Sequence, residues 1–327
     1  MGDYPFMILS LLCAVLNILP FCWQLQHGNS GPACLGFWVI LTNLVTFINA
    51  MVWRNDAINR APIWCDITSK ILLAGPLGLL ASNVCIARFL ARVVNPRARV
   101  ITARDRRNRA IFDYCFSFGV PVFVMATHII YQPVRYAIQK TLGCMFTLTV
   151  NWPSIFLHLI WSPILALVSA IYAVYVVVQL CQHRQSFSKM VARTESALTT
   201  SRFLRLVLLS AAYAFFELPL TIFLAVTNVT FNGVARYNWH EVHEGMGRGI
   251  IFYEPLRQKA DFSHYAFVIA GLLVFVFFGL SQEMLAVCKN LARNITGWKC
   301  LSRPGRRGAP TVTLASEQGC DTLRDAV

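Results

Sequence analysis

Seven stretches of this chain are long and apolar enough to cross a bilayer, and nothing else in it limits the fold as much. A hydrocarbon core takes about 20 helical residues, with a range of roughly 17–25. The stretches are 5–23, 33–53, a third centred on 71–87 that begins near Ile63, 114–131, 153–181, 206–228 and 265–282. The first two carry no charge; the third takes in Asp66 and Lys70, and the sixth holds Glu217. Lipid offers no partner to a backbone N–H or C=O, so each stretch is expected to be a helix. Hydrophobic residues are 56% and charged residues 13% of the chain, against roughly 45–50% and about 25% in soluble domains. Such a chain is not disordered and argues against a soluble enzyme. Most of its 11 Cys lie in apolar runs, where they act as small hydrophobes rather than as a disulfide scaffold.

Seven spans put the termini on opposite sides. With the N-terminus outside, the inner segments carry 20 of the 29 Lys and Arg and the outer ones 8, which orients the chain N-terminus out and C-terminus in. The start, Met1-Gly2-Asp3-Tyr4, is acidic and no A-x-A site follows Phe21, so the first stretch reads as a span and not a signal peptide. Residues 1–290 are expected to form the membrane domain and 291–327 a short, partly disordered cytoplasmic tail. Between Glu283 and Lys299, Leu291, Ile295 and Trp298 alternate with Lys289, Arg293 and Lys299, the pattern of a short amphipathic helix on the inner membrane surface. Cys288 and Cys300 flank it, as palmitoylation sites or as plain thiols. No internal repeat is visible, which argues against a transporter built of duplicated halves.

Ionisable groups inside a membrane are costly and therefore informative. Asp66 and Lys70 are i,i+4 on one helix and can neutralise each other. They are either a polar contact for a ligand arriving from outside or an internal ion pair. With Trp64, Trp161 and Trp239 they make up the candidate ligand-binding set. Glu217 lies two residues before Pro219, which kinks a helix, so the pair is a candidate switch; a simple hydrogen-bonded acid is the alternative. Asn43, Asn49 and Asn83 read as links between helices. Cys65 and Cys144 both fall on the oxidising outer side, where a disulfide is allowed. Arg97, Arg99, Arg104, Arg106, Arg107 and Arg109 crowd one inner loop, and Arg184, Lys189, Arg193, Arg202 and Arg205 the next. They set topology and also offer a docking surface, with Arg92, Arg97, Arg99, Arg202 and Arg205 as the candidate coupling residues. His240-Glu241-Val242-His243 lacks the H-E-x-x-H spacing, and Gly245, Gly247 and Gly249 follow no strand. The last span has no Lys for a Schiff base. No enzymatic activity, cofactor, metal or nucleic-acid partner is expected.

Seven helices with an outside N-terminus and basic inner loops describe a G-protein-coupled receptor, yet span three ends Ala87-Arg88-Phe89-Leu90-Ala91-Arg92 without D-R-Y, and span seven has no N-P-x-x-Y. A different set of motifs is present. They are Leu19-Pro20 with Trp23; Asn43-Leu44 with Phe47-Ile48-Asn49-Ala50; Trp53; and Trp64-Cys65-Asp66-Ile67 with Lys70. Further on come Gly143-Cys144, Asn151-Trp152-Pro153-Ser154, Arg202-Phe203-Leu204-Arg205-Leu206 and Leu218-Pro219-Leu220. Trp239 and His243, then Phe277-Phe278-Gly279, complete the set. Over residues 5–290 the chain thereby resembles the fungal mating-pheromone receptors for lipid-modified peptides, the a-factor-receptor type of class D, and most of all basidiomycete members. The resemblance implies a receptor in the fungal plasma membrane that binds a farnesylated peptide outside. Inside, it would activate a heterotrimeric G protein upstream of a MAP-kinase mating pathway. A constitutive or orphan seven-helix receptor and a small-solute transporter are the alternatives.

Overall fold

The structure is a computed structural model that describes residues 4–95, 102–182, 200–246, 251–253, 262–281, 284–287 and 289. The chain divides into two units, 1–284 and 285–327. Of the second, residues 285–287 and 289 are described, and they are helical. Arg97, Arg99, Cys288, Cys300 and the tail after 290 lie outside the described residues.

Among the described residues, six helices are long and apolar enough to cross a membrane. They are α1 (Tyr4–Gln26), α2 (Ser30–Val52), α3 (Pro62–Val93), α4 (Ala103–Thr127), α5 (Trp161–Gln182) and α6 (Thr200–Asn232). A seventh apolar helix, α7 (Phe262–Val274), continues as a π-helical turn through Gly279 and is shorter than the other six. α5 is entered through one helical turn, Trp152–Ser154, and a π-helical turn, Ile155–Leu159. The entry is a capping box: Asn151 Oδ1 accepts from Ser154 N at 3.0 Å, and Ser154 Oγ accepts from Asn151 N at 3.0 Å. Pro153 sits in that first turn, where no intrahelical acceptor awaits an N–H.

Helix α4 starts eleven residues before the apolar stretch that predicts it. Thr102 and Asp105 form a capping box there, with Asp105 N donating to Thr102 Oγ1 at 3.2 Å. The box starts the helix in a polar segment that hydropathy passes over. Arg104, Arg106, Arg107 and Arg109 therefore stand on helix and not in a loop.

Polarity in the bundle is inverted relative to a soluble protein. Ile164, Leu167, Ile171, Val174 and Val178 form an exposed apolar stripe on α5, while Asn17, Thr42, Asn43, Ser82, Asn83, Ser117 and Ser169 are buried. Buried polar side chains join helices. Asn17 Nδ2 donates to the Gly271 carbonyl at 3.0 Å and Asn43 Nδ2 to the Phe267 carbonyl at 2.9 Å, so two amides tie α7 to α1 and α2. Asn83 donates to Ser169 Oγ at 2.7 Å, joining α3 to α5.

One contact joins three helices. Pro121 lies inside α4. It has no N–H for the carbonyl four residues earlier, that of Ser117. The indole N–H of Trp38, on α2, donates to that carbonyl at 3.1 Å. The Trp38 ring lies against Gly78 of α3, where a Cβ would collide with it.

The described residues also hold a small sheet, although a purely helical fold is expected. Strands β1 (Ala137–Gln139), β2 (Gly143–Met145) and β3 (Ile251–Tyr253) run in the order β2-β1-β3, antiparallel then parallel. Three-residue strands leave no hydropathy signature, since period 2 needs a longer run to show. Gly143 has φ +77, and a Cβ there would lie 2.7 Å from Asn49 Cβ. The Cys65 and Cys144 sulfurs are bonded, with a Cα–Cα distance of 5.1 Å. Around them Trp53, Ala57, Tyr136 and Ile138 make a separate buried cluster.

Gly78→Ala should destabilise the protein by about 1–3 kcal/mol through overpacking against Trp38. Gly119→Ala, which meets nothing within 4 Å, should be neutral or stabilising by up to about 1 kcal/mol. Thermal unfolding in detergent checks both. Cys144→Ser opens a link across 79 residues and should cost about 4 kcal/mol by loop entropy, seen as a lower melting temperature.

Candidate functional site

At the end of the bundle that carries the disulfide lies a cavity of about 300 Å³. Its wall comes from Leu72, Leu73, Pro76 and Leu79 of α3 and from Leu220, Thr221, Leu224, Ala225 and Asn228 of α6. Phe6, Thr46, Ala266 and Phe267 close it from α1, α2 and α7. Leu142, Met145, Phe146 and Leu148 of the α4–α5 loop add another face, and His158, Leu159 and Ser162 complete it. The lining is predominantly apolar, with a few converging polar groups, the usual make-up of a ligand site. Glu217 is the one carboxylate among the described residues that line it. Tyr213, one turn away on α6, is buried beside it; His158 Nδ1 has no hydrogen-bond partner among the described residues. The His158 ring lies 6.3 Å from both Tyr131 and Phe146.

Of the candidate ligand residues, Asp66, Lys70, Trp64, Trp161 and Trp239 are not among those lining this cavity. Asp66 and Lys70 share a helix face, but each has another partner. Asp66 accepts a two-pronged contact from Arg135, one prong at 3.2 Å. The Lys70 ammonium donates to His128 Nδ1 at 2.5 Å and to Gln132 Oε1 at 2.6 Å. Because Lys70 can only donate, Nδ1 accepts and Nε2 carries the ring proton; it donates to the Thr147 carbonyl at 2.9 Å. Helical spacing brings Asp66 and Lys70 to one face, but it is silent about a loop that reaches them from about 60 residues downstream. Trp64 donates to Asn49 Oδ1 at 2.8 Å beside the disulfide cluster. Trp161 packs on the main core. Trp239 is 50% exposed and stacks on His243, whose ring nitrogens meet the Trp239 and Ile129 carbonyls at 2.8 and 2.7 Å. Pro219 lies inside α6, which runs unbroken from Thr200 to Asn232, and its ring is exposed on the outside of the bundle.

The opposite end is basic. Arg92 stands exposed in the last turn of α3. Arg202 lies 4.8 Å over the Trp23 ring and Arg205 donates to Ser201 Oγ at 2.9 Å. Arg88 and Arg109 sit over Phe112 and Phe89 at 3.9 and 4.2 Å. Asp113 is absent from the sequence reading. It is 2% exposed and accepts from Ser30 Oγ at the start of α2, where a helix N-terminus favours negative charge. The expected span began one residue too late to take it in. The i,i+4 step from Asp113 to Ser117 and Pro121 was the available signal, and all three are buried on one stripe of α4.

Comparison with known proteins matches residues 5–296 to the family described as pheromone A receptor (STE3). The chain is 31% identical over 277 residues to the Pheromone B alpha 1 receptor of Schizophyllum commune, covering 82% of this chain and 43% of that receptor. It is 26% identical over 307 residues to Pheromone receptor 2 of Mycosarcoma maydis, covering 91% and 86%. Against the Pheromone a factor receptor of Saccharomyces cerevisiae it is 25% identical over 291 residues, covering 88% and 61%. The chain spans less than half the length of the Schizophyllum receptors it matches. With a bundle of apolar helices, a cavity at one end and a basic surface at the other, this multi-pass membrane protein belongs to the pheromone A receptor (STE3) family.

Proposed function

We propose that this chain is a seven-helix, G-protein-coupled receptor of the fungal plasma membrane for a farnesylated peptide pheromone. α7 serves as the seventh span, with the N-terminus outside. The observation that carries this reading is the apolar cavity of about 300 Å³ with Glu217 in its lining, set at the less basic end of the chain's helices. A prenyl chain transfers into such a wall for about 25 cal/mol per Å² of apolar surface buried. The peptide portion stays at the mouth, near Asp66, Arg135 and Trp239. The basic end, with Arg92, Arg202 and Arg205 and the sequence neighbours Arg97 and Arg99, is where a heterotrimeric G protein docks and passes the signal to a MAP-kinase mating pathway.

A ligand shifts a receptor only by the difference in its affinity for two states. α6 is the element that can register that difference. It presents Glu217 and Tyr213 to the cavity and Arg202 and Arg205 to the other end. Two residues beyond Glu217, Pro219 leaves the Phe215 carbonyl without its helical N–H, a place where a helix bends at low cost.

In a yeast strain lacking its own receptor for lipidated pheromone, the expressed chain should drive a G-protein-dependent reporter with farnesylated peptide. The same peptide without its lipid should be inactive. No response from receptor shown to be at the surface, across a panel of farnesylated pheromones, would overturn the reading. In the same assay Glu217→Leu should raise the half-maximal dose roughly tenfold, a change of about 1.4 kcal/mol. Pro219→Ala should lower the maximal response while leaving surface level unchanged; an unchanged dose-response would remove Pro219 from the switch.

A further inference from the structure

We propose that Lys70 is a positioning residue. Through His128 and Gln132 it fixes the stretch of the α4–α5 loop that walls the cavity, and so sets the length of ligand chain the cavity accepts. Its ligand rests on the pheromone reading; its geometry does not.

Three residues of α3 hold this loop, each by a different force. Cys65 is bonded to Cys144. Asp66 meets Arg135, an exposed pair that water and salt weaken. Lys70 gathers the rest. Its ammonium holds Gln132, whose Nε2 donates to the Val134 and Arg135 carbonyls at 3.0 and 2.6 Å. It also holds His128, which is fully buried and donates to the Thr147 carbonyl. The Thr147 hydroxyl in turn donates to the Val134 carbonyl at 3.1 Å. One ammonium therefore organises two passes of the loop.

The wall depends on that knot. Met145, Phe146 and Leu148 face the cavity. The next holds on either side are Cys144, by its disulfide and by Asn49, and Thr149, by its N–H to the Tyr131 carbonyl at 3.0 Å. Between them, among the described residues, Met145 pairs with Ala137 in the sheet and the rest is held by hydrogen bonds at Thr147. Without the Lys70 proton, His128 Nδ1 is a buried acceptor with no donor. Moving the ring proton to Nδ1 then sets a bare Nε2 against a carbonyl oxygen. Either outcome costs a buried hydrogen bond and loosens Thr147. A wall that can yield no longer distinguishes chains that differ by a few methylenes, a discrimination that relies on fit.

The test uses the full chain with Lys70→Met, His128→Phe and, as a control, Asp56→Asn, which breaks a surface pair with Arg60. Amide hydrogen exchange over residues 144–149 is followed in purified receptor without ligand. Reporter potency is measured for one pheromone peptide carrying S-geranyl, S-farnesyl or S-geranylgeranyl. Lys70→Met and His128→Phe should each speed exchange about tenfold by easing local opening. They should also flatten the chain-length preference by at least about fivefold, while Asp56→Asn changes neither. Unchanged exchange in Lys70→Met overturns the proposal. So does a loss of potency that is equal for all three chains and absent in His128→Phe, because Lys70 would then touch the ligand. A wild-type receptor silent to every prenylated peptide sinks the pheromone reading and leaves exchange to decide the strap. If Lys70→Met fails to reach the surface, Gln132→Leu takes its place.

Discussion

A carbonyl freed inside α4 fixes the packing of three helices. Pro121 cannot donate to the Ser117 carbonyl, and in hydrocarbon an unpartnered carbonyl costs several kcal/mol. The Trp38 indole supplies the missing proton. To reach it, the ring must lie flat over α3, which only a residue without a Cβ permits at position 78. A proline on one helix thus dictates a tryptophan on a second and a glycine on a third. The same economy holds α7, whose Phe267 and Gly271 carbonyls each take an extra proton from an asparagine amide. Such shared bonds are worth less than an isolated donor in lipid would suggest, but they specify register, which uniform apolar packing does not.

Much of the fold is legible in the sequence because hydropathy over about 20 residues is a strong signal. The helices Tyr4–Gln26 and Pro62–Val93 contain the expected stretches with a few residues to spare, and Ser30–Val52 covers all of the second but its last residue, Trp53. The start of α4 is not legible from hydropathy, because a capping box and not apolarity decides it. The sheet is not legible because its strands are too short to show a period. The polar groups are harder still. Spacing places Asp66 and Lys70 on one face, yet Arg135, His128 and Gln132 arrive from another segment and divide them. Asp113 escapes because a carboxylate beside a helix N-terminus looks, in sequence, like one more charge in a basic stretch.

Several residues that carry the family resemblance have architectural work. Asn151 and Ser154 start a helix. Gly143 adopts a left-handed φ against Asn49, and Asn49 in turn holds both Trp64 and the Cys144 carbonyl. Trp53 is fully buried, and its carbonyl accepts from Thr141 at 2.8 Å beside that turn. A residue pattern can therefore identify the family while saying little about the ligand. The groups most suited to select a ligand, Glu217, Tyr213 and His158, stand apart from most of those motifs and share one cavity.

The three ties along one edge of α3 have a mechanical consequence. Cys65, Asp66 and Lys70 span less than two turns, so the α4–α5 loop and the upper part of α3 form a single rigid block. α6 is joined to that loop just past its end, where Ala235 N donates to the Val150 carbonyl at 2.9 Å, and its proline faces outward. The cavity lies between that block and α6. On the receptor reading proposed above, a ligand there would act as a wedge, its thickness at Phe146 and Leu148 setting the tilt of α6 as a shim sets the angle of a hinge.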